Sequence, residues 1–444
     1  MIIRKISYLI CNPEHIEQDC DVLISGKRIA AVGKNIPAPD DSIEIDARGC
    51  VVMPGLINAH THLYQNFLKG VSPGLPLVPW CNEVLFPTVG ALRSGFETNN
   101  YRAAYLWSAA AAIEMIKGGI TCCLDMDLTV DATLDAWRDL GFRSVAGYTI
   151  SNRWIPEEFH PSDEETHRKV LQFINRWHEP GGLIQAFVAP STPFLCDDNL
   201  LVWCRDQAEA LDLGIQIHVS EIASEVKESL DEWGMTPVER LNRLELLSSR
   251  TSAVHCVHVS DRDIQILSDS GCHVVHCPKS NMKLADGVAP VVSMINRQIP
   301  VSVATDGAAS NDLLDMWEEM RAAIMLARVS NNDAGALSAA DAFRMATVAP
   351  AAVCRLEAGT IEPGKLADLA IVELKGAHLR PLHPDRLIEQ LVFCAKANDV
   401  RDTIIDGKVV MRERKLVNCD EEAILDEVDA IEAPLYTNRA VFRY

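Results

Sequence analysis

The chain has 444 residues, 48% of them hydrophobic and 23% charged, and carries a net charge of -21. That much apolar material builds a large core and excludes a disordered chain. The acidic balance excludes the basic footprint that a nucleic-acid or anionic-membrane partner needs. No stretch reaches the ~18–20 apolar residues of a membrane span, and the first fifteen residues lack an adequate secretory apolar core. A cytoplasmic location is therefore expected. The 14 Cys fall mostly in apolar, strand-like runs such as Thr121-Cys-Cys-Leu, so buried thiols are expected rather than a disulfide framework.

The length fits two or three average domains, or one large barrel with a small partner. The first fifty residues read as short strands. Asp21-Val-Leu-Ile-Ser, the turn Gly26-Lys and Arg28-Ile-Ala-Ala-Val suggest a hairpin, and Ser42-Ile-Glu-Ile-Asp alternates at period two. The far end has the same character, in Leu369-Ala-Ile-Val-Glu and Asp402-Thr-Ile-Ile-Asp-Gly-Lys-Val-Val. Neither end could bury a core alone. Residues 1–53 and 360–444 are therefore expected to pair into one small discontinuous β domain, a β-sandwich.

Between them, over residues 54–359, Val/Ile/Ala-rich runs alternate with amphipathic helical stretches, the signature of a parallel α/β architecture. Eight strands are expected: Val51–His62, Thr121–Asp127, Arg143–Thr149, Ile184–Ser191, Gly214–Glu221, Thr251–His258, His273–Asn281 and Val301–Gly307. Eight such units make a (β/α)8 TIM barrel, whose active site lies at the C-terminal strand ends. The long connection from Leu63 to about Thr98, with Pro73, Gly74, Pro76, Pro79 and Pro87, reads as a lid or pocket wall.

Polar residues gather at those strand ends. Strand one ends in His60 and His62, whose i, i+2 spacing puts both side chains on one face. Imidazoles held in this way bind zinc or iron. Strand five ends with His218 and Glu221. Strand six offers His255 and His258, and strand seven offers His276, Lys279 and Asn281. Strand eight ends at Asp306. A single His on an apolar run is more often a satisfied core residue than a ligand. It is the joint placement that points to a metal site, with His258 and His276 left to structural roles.

The motifs Pro54-Gly-Leu-Ile-Asn-Ala-His-Thr-His62, His218-Val-Ser-Glu221, His255-Cys-Val-His258, His276-Cys-Pro-Lys-Ser-Asn281 and Thr305-Asp306-Gly-Ala-Ala-Ser-Asn311 resemble those of the amidohydrolase superfamily. The branch they are similar to contains the methylthioadenosine/S-adenosylhomocysteine deaminases, guanine deaminase and the triazine (chloro)hydrolases. The resemblance spans essentially the whole chain. It implies one divalent metal ion held by His60, His62, His218 and Asp306, with zinc favoured and iron the alternative. A bridging carboxylated lysine of binuclear members has no counterpart on strand four, Gln185-Ala-Phe-Val-Ala-Pro-Ser191.

The activity implied is hydrolytic deamination of a nitrogen heterocycle such as a purine, pterin or triazine. Metal-activated hydroxide attacks a ring carbon and ammonia leaves. Glu221 would move protons, His255 would polarise the nucleophile or the oxyanion, and Asp306 would accept the water's proton. Gln65, Trp80 and Ser191 are candidate substrate contacts. The alternatives are deamination of adenine nucleosides, or removal of chloride or an alkylamine from an s-triazine. The nucleoside deaminases usually carry a His after the Pro that ends strand four and an acid in the lid. This chain has Ser191 and the run Leu77-Val-Pro-Trp80 there. The partners expected are a small heterocyclic substrate and further copies of the chain, as a homo-oligomer.

Overall fold

A computed structural model describes residues 1–37, 39–71, 74–85, 100–128, 130–154 and 162–437. Two sheets carry the fold. The first has eight parallel strands laid side by side in chain order: Leu56–Thr61, Ile120–Asp127, Arg143–Ile150, Ile184–Pro190, Ile215–Val219, Thr251–His255, His273–His276 and Val301–Val303. Helices follow the strands on the outside. This is the expected (β/α)8 barrel. Its interior-facing and helix-facing positions are both buried, which is why the strands read as unbroken apolar runs rather than alternating ones.

The seam between the eighth and first strands is closed by the residues that build the site. Asp306 N donates to His60 O (3.1 Å), Thr305 N donates to Asn58 Oδ1 (3.0 Å), and Asn58 Nδ2 donates to Thr305 Oγ1 (2.7 Å).

The second sheet is mixed and nine-stranded, and draws on both chain ends. Ile2–Asn12, His15–Ser25, Arg28–Gly33, Glu44–Asp46 and Cys50–Pro54 come from the front. Leu369–Glu373, Val400–Ile405, Lys408–Arg412 and Lys415–Leu416 come from the back. The two halves meet where Leu369–Glu373 runs antiparallel to Cys50–Pro54. The segments after it return to the barrel. Leu387–Cys394 packs on Ala339–Ala346, and Glu421–Thr437 lies along Asn100–Lys117, tied by Lys117 to Glu421 and Arg102 to Glu427.

Several expected strands differ from the observed ones: Gly214–Glu221, Thr251–His258 and Val301–Gly307 end as strand at Val219, His255 and Val303, and two others differ more. Val51–His62 is two strands, not one: Cys50–Pro54 belongs to the second sheet and Leu56–Thr61 to the barrel, with Gly55 between them. A Cβ at Gly55 would lie 2.1 Å from Thr121 Oγ1, so only glycine lets the chain cross at that point. His273–Asn281 stops as a strand at His276, and Pro278–Lys283 is a short helix with proline at its start. Of the expected lid, Pro73 and Pro87 lie outside the described residues, while Leu63–Leu68 and Leu77–Leu85 form short helical turns beside the barrel mouth.

Candidate active site and metal centre

Four donors converge at the C-terminal end of the barrel. His62 Nε2 lies 3.3 Å from His218 Nε2. Asp306 Oδ1 lies 3.4 Å from His60 Nε2 and 3.5 Å from His62 Nε2. A tetrahedral zinc ion with ~2.1 Å bonds to nitrogen and oxygen separates its ligand atoms by about 3.4 Å. The three distances therefore describe edges of such a polyhedron. His60 Nε2 is buried and makes no hydrogen bond, an orphan that an ion at this point would satisfy. The residues present thus fit a divalent ion.

Each histidine is aimed by its other nitrogen. His60 Nδ1 meets Gln216 Oε1 (2.7 Å), His62 Nδ1 meets Met126 O (2.7 Å), and His218 Nδ1 meets Ser191 O (2.7 Å). All three partners are acceptors. The proton therefore sits on Nδ1 and leaves a lone pair on Nε2, pointing inward. Burial and the neighbouring imidazoles push His62 down to about 4 and His218 well below the ordinary range, so both stay neutral, the form that ligates. Asp306 sits at positive φ (+62°), which turns its carboxylate back into the barrel. Although burial alone would raise it, its carboxyl is held well below the usual carboxylate range. Its Oδ1 also accepts from Gly307 N (2.6 Å), and its Oδ2 accepts from Ser280 Oγ (2.6 Å).

His255 is built differently. Its Nδ1 faces Asn281 Nδ2 at 3.0 Å, and Asn281 Nδ2 also lies 3.4 Å from Asp286 Oδ2. The carboxylate fixes the amide with its NH2 toward both groups. His255 Nδ1 is then the acceptor and the proton resides on Nε2. That Nε2 lies 3.5 Å from Glu221 Oε1. His255 therefore presents an N–H donor to the centre where the other three present lone pairs. Burial pushes its pKa down to about 3, so it is a neutral donor.

Glu221 is buried beside the acids Asp286, Asp306 and Glu225. Burial first, then this negative company, raises its pKa well above the ordinary carboxylate value. Asp286 raises Glu221 further, and burial pushes Asp286 itself up to about 7. Glu225 secures the loop: its Oε2 accepts from Glu221 N (2.9 Å).

The cavity above these groups has a volume of about 480 Å³, in the range of sites that enclose a small organic ligand. His62, His218, Glu221, His255 and Asp306 line its floor. Gln65, Trp80 and Ser191, the expected substrate contacts, all line it too. Gln65 Oε1 and Trp80 Nε1 are buried without a hydrogen-bond partner. Ser191 reaches the site through its backbone oxygen, the partner of His218. The walls are largely apolar, with Leu77, Leu128, Ile150, Phe194 and Leu284.

Three further residues packed against the candidate site escaped the sequence reading. Gln216 stands two residues before His218 on the same strand face, so period two would have found it. Asp286 and Glu225 lie on a loop and a helix where no such rule marks them. His258 Nε2 meets Asp286 O at 2.7 Å.

Residues 51–410 match the model of the amidohydrolase family. A 5-methylthioadenosine/S-adenosylhomocysteine deaminase of Caldanaerobacter subterraneus subsp. tengcongensis is 34% identical over 432 residues, covering 97% of each chain. Among solved structures, an adenosine deaminase from Xanthomonas campestris with bound zinc superposes with a TM-score of 0.90 at 31% identity, over 98% of each chain. The atrazine chlorohydrolase of Arthrobacter aurescens, complexed with zinc, gives 0.91 at 26% identity, over 97% of this chain and 99% of that one. The chain belongs to the amidohydrolase family and is a hydrolase of carbon–nitrogen bonds.

Proposed function

We propose that this protein is a hydrolytic deaminase of a nitrogen heterocycle, with one zinc ion held by His60, His62, His218 and Asp306. The single observation that carries this reading is the buried Glu221 carboxyl 3.5 Å from His255 Nε2, beside the converging donors of His60, His62, His218 and Asp306. When bound, the ion would acidify a water molecule and so supply a strong nucleophile near neutral pH.

The chain's own groups supply the rest. Asp306, kept ionised, accepts the proton of the attacking water. Glu221 donates its proton to the ring nitrogen next to the attacked carbon, so that negative charge does not build up there. His255 Nε2–H stabilises the oxygen of the tetrahedral carbon. Collapse of that carbon to the carbonyl returns its hydroxyl proton to Glu221, while the expelled amino group takes up the proton held by Asp306 and leaves as ammonia. The apolar walls exclude water from the ring, and Trp80 and Phe194 offer flat surfaces against it.

Adenine nucleosides are the second reading of the substrate, favoured by the names of the relatives at 31–34% identity. Against it stands Ser191, where the resemblance to those deaminases implies a His.

The test is ammonia release by metal-analysed protein from aminopurines, pterins, adenine nucleosides and aminotriazines, with chloride release from chlorotriazines run in parallel. His218→Ala and Glu221→Gln serve as blanks. Ammonia from one class that both variants abolish supports the deaminase. Chloride without ammonia, at one metal per chain, overturns it.

A further inference from the structure

The sheet built from the chain ends carries a second cluster of metal-binding side chains, remote from the barrel mouth. His15 and Glu17 stand at i, i+2 on the strand His15–Ser25, so both side chains leave the same face. Cys11 lies on the antiparallel neighbour, Ile2–Asn12, where Leu9 pairs with Glu17 and Asn12 with His15. The ligating atoms of Cys11, His15 and Glu17 all lie within 4.8 Å of one another. His15 Nε2 and Glu17 Oε1 are 3.2 Å apart. That is close to the ~3.4 Å nitrogen–oxygen edge of a tetrahedral zinc site, whose sulfur–nitrogen edge is about 3.6 Å.

We propose that Cys11, His15 and Glu17 form a second divalent-metal site, for a borderline-soft ion of the zinc class. The donor set, one thiolate, one imidazole and one carboxylate, suits zinc or cobalt and is wrong for magnesium or calcium. Three protein ligands leave the fourth position to water.

The hairpin that carries the three donors is already held in place. Glu14 N donates to Asn12 Oδ1 (2.9 Å), the Glu14 carboxylate pairs with Arg344, and Cys11 O accepts from Ile361 N (2.8 Å). The metal therefore would not have to order the loop. The charges acting on Cys11, from Glu17 and Glu362, are both negative. Together with burial they push the thiol up to about 11, so it keeps its proton until a cation displaces it. The ordinary alternative is an exposed His15–Glu17 ion pair above a buried thiol. It predicts no metal at this place.

The experiment separates this site from the barrel centre by its sulfur. The barrel donors are nitrogen and oxygen only, so cobalt bound there gives no thiolate-to-metal charge-transfer band. Full-length protein is stripped with a chelator and titrated with Co2+ and Zn2+ under a non-chelating reductant. The expected result is two equivalents per chain and a thiolate–cobalt band in the near ultraviolet. Cys11→Ser and His15→Ala each lose the band and one equivalent and keep the wild-type turnover. His15 is exposed, so its variant carries the test even if Cys11→Ser folds poorly. One equivalent and no band in the wild type overturns the site, and so does a band that survives in both variants. These readouts do not depend on which substrate the barrel takes.

Discussion

Asn281 donates from Nδ2 to His255 Nδ1 across 3.0 Å, and this one contact sets which nitrogen of His255 faces the reaction centre as a donor. His60, His62 and His218 each give their Nδ1 proton to an acceptor, whereas His255 receives one. The same side-chain type thus serves as ligand three times and as hydrogen-bond donor once, and the partner on the far nitrogen decides which.

Replacing Asn281 with Asp exchanges the donor for an acceptor. His255 would then carry its proton on Nδ1 and turn a lone pair to the substrate. Turnover is expected to fall on the order of 10²-fold, the usual worth of one oxyanion donor. Metal content, measured by elemental analysis, stays at the wild-type value. Loss of metal together with turnover would mean that Asn281 acts on the ligands and not on His255.

Glu221→Gln keeps the shape of the side chain and removes its titrating proton. A loss in kcat of roughly 10²–10⁴ is expected, with KM little changed. The pH dependence follows from the direction of the shift. Because burial and its acidic neighbours raise Glu221, the acid form persists to higher pH than an ordinary carboxyl's and is lost as pH rises. The profile of kcat/KM should therefore fall on its alkaline side. Asp286→Asn removes a negative neighbour and lowers Glu221, so the same limb should move to lower pH. A limb that stays in place in Asp286→Asn would remove Asp286 from the proton-holding pair.

Metal removal offers an independent check. A chelator should abolish turnover, and zinc should restore it. An ion at 1,000 times its Kd stabilises the fold by about 4 kcal/mol, so calorimetry should show a lower Tm for the stripped protein. His62, pushed down to about 4, stays unprotonated at pH 5.5, where an ordinary imidazole is mostly charged. His62 protonation therefore should not strip the ion at that pH.

The site was legible in the sequence wherever one periodicity fixed direction. His60 and His62 follow from period two, and His218 and Asp306 follow because polar side chains at the ends of apolar strands are costly without a task. Gln216 obeyed the same rule and was still missed, because a Gln inside a strand looks like ordinary polar punctuation. Asp286 could not be read. It follows the short helix that Pro278 starts, on a loop that no strand periodicity marks. The join at Gly55 was hidden for a related reason. Two strands of different sheets run on without a polar break, and only the contact with Thr121 explains why the chain changes sheet there.

The two sheets are also joined by charge, which leads to a stability prediction. Arg143, on the third barrel strand, donates from Nε to Asp368 Oδ2 (2.6 Å) and from Nη2 to Asp368 Oδ1 (3.2 Å) and Asp406 Oδ1 (2.8 Å). Arg143 and Asp368 are buried, with side chains 1% and 3% exposed. A buried pair of this kind contributes little beyond a well-packed apolar substitute, but breaking it leaves an uncompensated charge. Arg143→Ala strands Asp368 in the interface and should cost about 3–5 kcal/mol in urea unfolding. The double variant Arg143→Met with Asp368→Leu removes the two buried charges, leaving only the partly exposed Asp406 without its partner, and should recover part of that loss. Since neither residue lines the cavity, the folded fraction of each variant should turn over at the wild-type rate. Equal losses in the single and double variants would show that hydrogen-bond geometry holds the sheets together here, and not the balance of buried charge.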